Sequence, residues 1–126
     1  MRKEVYTDKG AKPAGIYSQG IVADGPVAYI ASQGPLDPAT GKRIEGGFRE
    51  QAARVFDNLT ILLEAAGTSW EHVTKVGVYL ADLSDFAEMN EVYQRYVTKP
   101  YPARTTLGCQ LPGTLISADC IAVVPE

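Results

Sequence analysis

The clearest pattern of apolar and polar positions lies between residues 48 and 66. Apolar side chains recur there at steps of three and four, and charged side chains occupy the opposite side, as in an amphipathic helix. The apolar positions are Ala52, Val55, Phe56, Leu59, Leu62, Leu63 and Ala66. Gly67 follows at once, and glycine is the usual residue just past a helix end. The pattern predicts a helix that buries one face and ends at Gly67.

Alternating positions predict strands on both sides of this helix. Residues 73–81 place three aliphatic side chains on one side: Val76, Val78 and Leu80. Earlier in the chain, residues 21–23 and 27–31 flank a turn sequence, Asp24-Gly25-Pro26. Two short apolar runs joined by such a turn predict a β-hairpin.

A second helix is predicted after residues 73–81. Asp82 or Ser84 would cap its first turn, and the helix ends before Pro100. Its apolar positions share one face: Phe86, Met89, Tyr93 and Tyr96. Two more strands follow, at residues 103–109 and 115–124. This order predicts a single α+β domain over residues 1–126, with two helices on one face of a mixed sheet of five or six strands.

The last predicted strand has two unlike faces. One is apolar throughout and is expected under the helices: Ile116, Ala118, Cys120, Ala122 and Val124. The other is largely apolar with two polar groups in its middle: Leu115, Ser117, Asp119, Ile121 and Val123. Such a face is too apolar to remain in water, so we expect a second copy of the chain to cover it. The pattern predicts a homo-oligomer whose contact region contains a small polar site.

Charge and composition exclude several classes of protein. The 126 residues include 12 basic and 15 acidic side chains, a net charge of −3, which argues against binding to nucleic-acid phosphates. No apolar stretch approaches the roughly 18 residues of a membrane-spanning helix. Cys109 and Cys120 are too few for a disulfide framework, so we expect buried thiols and a cytoplasmic location. His72 is the single histidine, so no zinc site is predicted, although a pairing with either cysteine stays open.

Arg104 is the first candidate for chemistry, because it lies among apolar residues at the entry to a predicted strand. A buried guanidinium needs an anion. The anion could be Asp119, in a structural bridge, or the carboxylate of a small substrate held by two parallel hydrogen bonds. Tyr17 and Asn90 follow as candidates. Tyr17 could pack its ring on the core, and Asn90 could form a hydrogen bond to the backbone of a neighbouring loop. Alternatively, either side chain could contact a ligand.

Short motifs along nearly the whole chain resemble those of one family, in the same order. They are Tyr17-Ser18-Gln19, Ala31 to Pro38 with Thr40-Gly41, Gln51, Asn58-Leu59, Ala65-Ala66-Gly67, Val73-Thr74-Lys75, Val78-Tyr79, Asp85-Phe86, Met89-Asn90, Tyr93, Pro102-Ala103-Arg104, Leu111-Pro112 and Ile121-Ala122-Val123. In this order they resemble the Rid family of reactive intermediate deaminases, also called the YjgF or L-PSP family.

The resemblance implies a chorismate-mutase-like fold and a homotrimer with three sites at subunit interfaces. It also implies hydrolysis of enamines and imines, such as 2-aminoacrylate and its 2-iminopropanoate tautomer, to a 2-oxo acid and ammonia without a metal or organic cofactor. Arg104 matches the carboxylate-binding arginine of the family, and the backbone around Thr106 would lie by the imine nitrogen. Tyr17 and Asn90 match positions that line the pocket.

Two departures from the family pattern bear on the chemistry. The usual Ser-Gly-Gln of the second strand reads Ala31-Ser32-Gln33, so a pocket hydroxyl is missing or moved, with Ser32 as its candidate. Ser117 stands where members with imine hydrolase activity usually carry a glutamate that holds the attacking water. A serine hydroxyl can position water but is not a base at neutral pH. Asp119 lies two residues on, and therefore on the same strand face, so it is the candidate replacement.

Three functions remain open at this point. The first is a Rid-type hydrolase acting on a small enamine or imine that carries a carboxylate. The second is a catabolic deaminase of an aminomuconate-like molecule, with Ser117 marking an altered pocket. The third is a non-catalytic binder of small carboxylic acids that keeps Arg104 and has lost the water site. An endoribonuclease is disfavoured by the acidic charge and by the lack of a paired histidine site.

Overall fold

The computed structural model describes residues 2–126, which form six strands and two α-helices. In chain order these are β1 (Arg2–Val5), β2 (Gly20–Ala23), β3 (Val27–Gln33), α1 (Phe48–Ala65), β4 (Val73–Leu80), α2 (Phe86–Tyr93), β5 (Ala103–Gly108) and β6 (Ile116–Val123). Short 3₁₀ turns precede β4 and α2. None of the helices in residues 2–126 has the length and apolar character needed to cross a membrane.

The main sheet has four strands in the order β3-β6-β4-β5. Strands β4 and β5 run parallel, because α2 returns the chain to the same end of the sheet, and the other pairs are antiparallel. Both helices pack on one face of this sheet, so the predicted α+β architecture is confirmed. Strands β1 and β2 form a separate two-stranded ribbon, so the six strands divide between two sheets.

The predicted hairpin between residues 21–23 and 27–31 is wrong. The turn forms, with Gly25 at a φ of 113°, but β2 pairs with the N-terminal strand β1, which was not predicted. Strand β3 pairs instead with β6. The side chain of Arg2 in β1 donates a hydrogen bond of 2.6 Å to the carbonyl of Val73, which ties the ribbon to the main sheet.

The core lies between the helices and the inner face of the sheet. Helix α1 buries five of its seven predicted apolar positions, whereas Leu62 and Ala66 are only half-buried. The helix ends one residue earlier than expected, and Gly67 follows with a φ of 82°. Rings from three parts of the chain meet at its centre: Phe56, Trp70, Tyr93 and Tyr96. Burial of these large side chains is the main source of stability for a chain of this size.

Strand β6 has the two faces that its sequence predicts. Four inner side chains are at most 2% exposed: Ile116, Ala118, Cys120 and Ala122. On the outer face Ser117, Asp119 and Ile121 are only half-buried. Tyr29 of β3, paired with Ile121, is 77% exposed. The outer face of the main sheet is thus an open, partly apolar surface in the single chain.

Candidate functional site

Arg104 lies on the helix side of β5, an edge strand with β4 as its neighbour. Its register partner in β4 is the fully buried Val76, and side chains of paired residues point to the same face. The strand therefore turns the guanidinium inward, under α2, and Arg104 is only 9% exposed. This confirms the prediction of a buried charge at the entry to this strand.

Three aromatic rings surround the guanidinium carbon of Arg104. The ring centroids lie 5.1 Å away for Tyr93, 5.6 Å for Phe86 and 5.7 Å for Tyr17. Contacts of this length between a cation and an aromatic ring are attractive and fix the position of the charge. We call Arg104 with these three rings and Asn90 the arginine cluster.

The arginine cluster contains no counter-ion. Nη1 of Arg104 donates a hydrogen bond of 2.7 Å to the amide oxygen of Asn90, which is neutral. No carboxylate in residues 2–126 forms an ion pair with Arg104, so the alternative of a structural bridge to Asp119 is wrong. Burial lowers the pKa of Arg104 from its ordinary value, yet a guanidinium stays charged at neutral pH. Its remaining N–H donors are suited to a planar anion.

Helix α2 supplies three members of the arginine cluster through its spacing. Phe86, Asn90 and Tyr93 are four and three residues apart, so they share one helix face. The apolar spacing of this helix predicts Phe86 and Tyr93 as core residues only and does not indicate their contact with the guanidinium. The amide of Asn90 on that same face was the signal that this part of the helix is more than a packing surface.

The loop between β1 and β2 brings Tyr17 to the arginine cluster. Ser18 fastens this loop, because its N–H donates to the carbonyl of Pro102 at 3.1 Å and its hydroxyl donates to the carbonyl of Tyr101. The hydroxyl of Tyr17 accepts a hydrogen bond of 3.1 Å from the N–H of Ala14. Tyr17 therefore holds a fixed position, with its ring directed at Arg104 rather than at the core alone.

Thr106 lies two residues beyond Arg104 on the same strand face. Its register partner, Val78, is fully buried, and its own hydroxyl oxygen is buried without a hydrogen-bond partner. Because β5 is an edge strand, part of its backbone N–H and C=O groups have no strand partner. Thr106 thus brings a buried, unpartnered hydroxyl to the same strand and the same face as the guanidinium.

The other predicted site residues lie on the outer face of the sheet. Ser117 and Asp119 share that face, as predicted, and Asp119 accepts a hydrogen bond of 2.8 Å from the hydroxyl of Tyr79. A bulge in β3 between Ile30 and Gln33 gives this strand an extra residue. Ser32 lies in the bulge and lines an open hollow together with Asp119. The moved hydroxyl of the second-strand motif therefore faces the same side as Asp119.

One chain does not bring all the predicted site residues together. Arg104, Thr106, Tyr17 and Asn90 lie on the helix side, whereas three others lie across the sheet on its outer face: Ser32, Ser117 and Asp119. His72 and the two cysteines belong to neither of these two groups of residues. His72 pairs with Glu71 at 3.2 Å, the two cysteines are free, and residues 2–126 contain no group of side chains arranged to hold a metal.

Comparison with known proteins places the chain in a family. A family model described as Endoribonuclease L-PSP matches residues 7–124. A RutC family protein of Pyrococcus abyssi is 46% identical over 125 residues, which are 97% of this chain and 98% of that protein. The chain belongs to the Rid, or L-PSP, family. A Bos taurus protein named 2-iminobutanoate/2-iminopropanoate deaminase is 37% identical over 125 residues, 98% of this chain and 90% of that protein.

Solved structures confirm the Rid fold. RidA from an Antarctic Psychrobacter is 40% identical and superposes with a TM-score of 0.75, covering 97% of this chain and 99% of that one. Escherichia coli TdcF, solved with bound serine, is 32% identical with a TM-score of 0.72, covering 96% and 98% of the two chains. The resemblance stated from the motifs alone is therefore confirmed, together with the α+β fold.

Proposed function

We propose that this Rid protein hydrolyses small 2-imino or 2-enamino acids to 2-oxo acids and ammonia. The observation that carries the proposal is the arginine cluster, which holds a buried, unpaired guanidinium between aromatic rings. A buried cation of this kind is stabilised by an anion from outside the chain, and the planar fork of arginine fits a carboxylate. The name of the bovine relative, an imine deaminase, supports the same substrate class.

The proposed enzyme is a homotrimer whose sites combine two subunits. The arginine cluster of one copy would face the outer sheet face of the next copy, which carries Ser117, Asp119 and Ser32. Two observations support this arrangement. The predicted residues divide between the two faces of a single sheet, and the outer face leaves Tyr29 and other apolar side chains exposed. A second copy would bury that surface and complete the site at once.

Each half of the proposed site has a separate task. Arg104 holds the substrate carboxylate through two N–H groups, and the edge backbone near Thr106 lies by the imine nitrogen. Ser117 positions a water next to the imine carbon, and Asp119 is the base in its reach. Because an imine is already electrophilic, holding substrate and water in the right geometry supplies much of the rate.

The proton transfers follow from these positions. The water oxygen forms a bond to the carbon of the protonated imine, and the C=N electron pair moves to the nitrogen. The bound water gives one proton to Asp119. Asp119 then returns the proton to the nitrogen of the carbinolamine. The C–N bond breaks, ammonia leaves with the bonding pair, and the hydroxyl loses its proton as C=O forms. Ammonia takes up that proton, so water and iminium yield one 2-oxo acid and one ammonium ion.

Ammonia release from imines formed in situ by an amino-acid oxidase tests this function. The protein should accelerate release from 2-iminopropanoate above the rate with the oxidase alone. A panel that includes an aminomuconate-like substrate separates a general imine hydrolase from a specialised deaminase. No acceleration on any member of the panel would contradict the proposal.

A non-catalytic binder of small carboxylic acids is the second candidate. It is favoured by one observation, that the arginine cluster has no carboxylate or histidine of its own within the described residues. Such a binder would give heat on titration with 2-oxobutanoate in a calorimeter and no ammonia from any imine. The calorimeter and the ammonia assay therefore separate the two candidates.

A further inference from the structure

Tyr79, Asp119 and Gly77 form a compact group at the centre of the outer face. Gly77 lies directly opposite Asp119 in the β4–β6 register, and Tyr79 lies directly opposite Ser117. From there the tyrosine side chain leans back across Gly77, and its hydroxyl donates the 2.8 Å hydrogen bond to Oδ2 of Asp119. The group thus connects the carboxylate to the position beside Ser117.

Gly77 makes this hydrogen bond possible. A Cβ atom built on Gly77 would lie 2.6 Å from Oδ1 of Asp119 and 2.6 Å from the hydroxyl oxygen of Tyr79. Real Cβ atoms do not approach other atoms so closely, so any larger residue would push the two side chains apart. Gly77 is not among the glycines with positive φ, so alanine would meet no backbone strain there. The space above this glycine is occupied by the hydrogen-bonded pair.

The tyrosine can serve only as a donor in this pair at neutral pH. The hydrogen bond to Asp119 is the largest cause of a raised pKa for Tyr79, so its phenol keeps its proton. The donated bond occupies Oδ2 of the aspartate, and no hydrogen bond within residues 2–126 occupies Oδ1. One carboxylate oxygen is therefore anchored and the other is open to accept a proton.

We propose that Tyr79 is a positioning residue that anchors Asp119, across Gly77, as the base for the water held at Ser117. This inference rests on the proposed imine hydrolysis. It states which residues take the role of the glutamate that the family usually carries at the position of Ser117. A carboxylate on a short side chain would otherwise rotate freely on a half-open surface, and the hydrogen bond selects one orientation. The tyrosine contributes no atom to the reaction and acts through Asp119 alone.

Four variants test the assignment. Tyr79→Phe removes the donor and keeps the ring, Gly77→Ala keeps both polar groups but separates them, and Asp119→Asn removes the base. The fourth combines Tyr79→Phe with Asp119→Asn. Tyr6→Phe is the matched control, because Tyr6 donates a similar hydrogen bond of 3.0 Å to Asp8 on an exposed segment. Steady-state ammonia release gives kcat and KM, and light scattering checks that each variant assembles like the parent.

We expect the losses to fall on kcat. Asp119→Asn should lower kcat about a hundredfold, at the lower end of what a general base contributes. Tyr79→Phe and Gly77→Ala should each lower it about tenfold or more, because a misplaced group loses much of its effect. KM should stay within about twofold, since the substrate carboxylate contacts Arg104. The combined variant should equal Asp119→Asn alone, because the tyrosine acts only through that residue.

Other outcomes overturn the inference, and they separate it from the proposed function. If the parent releases ammonia while Tyr79→Phe and Gly77→Ala match it, imine hydrolysis stands and the positioning role is wrong. Losses that multiply in the combined variant would give Tyr79 an independent role and also overturn it. Dissociation of Tyr79→Phe subunits would assign the residue to assembly instead. A parent protein without imine hydrolysis would end both proposals.

Discussion

The charged side chains on the two faces of the sheet differ in burial and in hydrogen-bond partners. On the helix side, Arg104 is 9% exposed, surrounded by three rings and paired only with a neutral amide. On the outer side, Asp119 is half-buried and has a donor within its own chain, the hydroxyl of Tyr79. The charge of Arg104 is buried without a counter-ion, whereas the charge of Asp119 is partly exposed and holds a hydrogen bond from Tyr79.

This difference shows what each face lacks. A buried cation without an anion is stabilised by a ligand that brings one, so we assign carboxylate binding in the proposed function to the helix side. An anchored carboxylate on an open surface needs no counter-ion, but it works as a base only when water is confined next to it. A second copy of the chain laid over the outer face would supply that confinement.

The largest expected effect comes from placing a charge on the outer face. Tyr29 is 77% exposed in the single chain, so Tyr29→Asp should leave the fold of the chain intact. In the proposed trimer the same side chain is buried, and a buried, unpaired carboxylate costs several kcal/mol. Light scattering should give three times 13.6 kDa for the parent and 13.6 kDa for the variant, with ammonia release reduced to background.

Tyr6→Asp is the control for this experiment. Tyr6 is 52% exposed and directly follows β1, which is not part of the main sheet. It should leave both the mass and the activity unchanged. A parent protein that is a monomer at micromolar concentration would contradict the shared site, as would a Tyr29→Asp variant that stays trimeric and active.

Removing the guanidinium on the helix side should have the next largest effect. Two hydrogen bonds between charged groups contribute about 1.5–3 kcal/mol each, so Arg104→Ala should lower kcat/KM by roughly 10²–10⁴-fold. Arg104→Lys should restore only part of this, because an ammonium lacks the planar fork. Arg54→Ala is the matched control: Arg54 also donates to an asparagine, Asn58, at 3.1 Å, but on helix α1.

A melting curve separates ligand binding from a structural role of Arg104. Breaking a buried ion pair costs about 3–5 kcal/mol, because it leaves the partner charge unpaired. Arg104 has no such partner in residues 2–126, so Arg104→Ala should lower the free energy of unfolding by clearly less than that. A loss of that full size, with activity per folded molecule retained, would make the arginine structural.

The smallest expected effect is an increase in kcat, caused by a substitution on the outer face. Ser117→Glu adds a carboxylate that can both orient and polarise water, so kcat on 2-iminopropanoate should rise by about a hundredfold, at the lower end of general-base contributions. Thr98→Glu adds the same charge at an exposed position and should change nothing. An unchanged rate in folded Ser117→Glu trimers would show that the water is not held at this residue.

The sequence predicts the elements whose pattern is complete within a short segment. Helix α1 was correct to within one residue at its end, and the two faces of β6 were assigned correctly, because burial of one face leaves a periodic record. Strand pairing leaves no such local record. The sequence Asp24-Gly25-Pro26 specifies a turn, but the partners of β2 and β3 depend on distant strands, so the predicted hairpin failed.

The same distinction applies to the candidate site: local features could be predicted from the sequence, and contacts between distant strands could not. Arg104 was found because a charge among apolar residues is unusual wherever the chain goes, and the structure excludes Asp119 as its partner. The bond from Tyr79 to Asp119 joins residues forty positions apart and depends on the β4–β6 register, so it could not be predicted. Gly77 was the available signal, since a glycine inside a strand often marks a close approach of other atoms.

The two hydrogen bonds of Ser18 have a consequence for how a ligand would enter. They join the loop that carries Tyr17 to the residues just before β5, the strand that carries Arg104. A loop fastened so near the guanidinium is not a lid that opens and closes by itself on each turnover. The three rings around Arg104 are in place once the chain has folded. Ligand binding therefore carries no entropic cost for ordering this loop. In the proposed trimer, ligand would therefore exchange with solvent without opening of this loop.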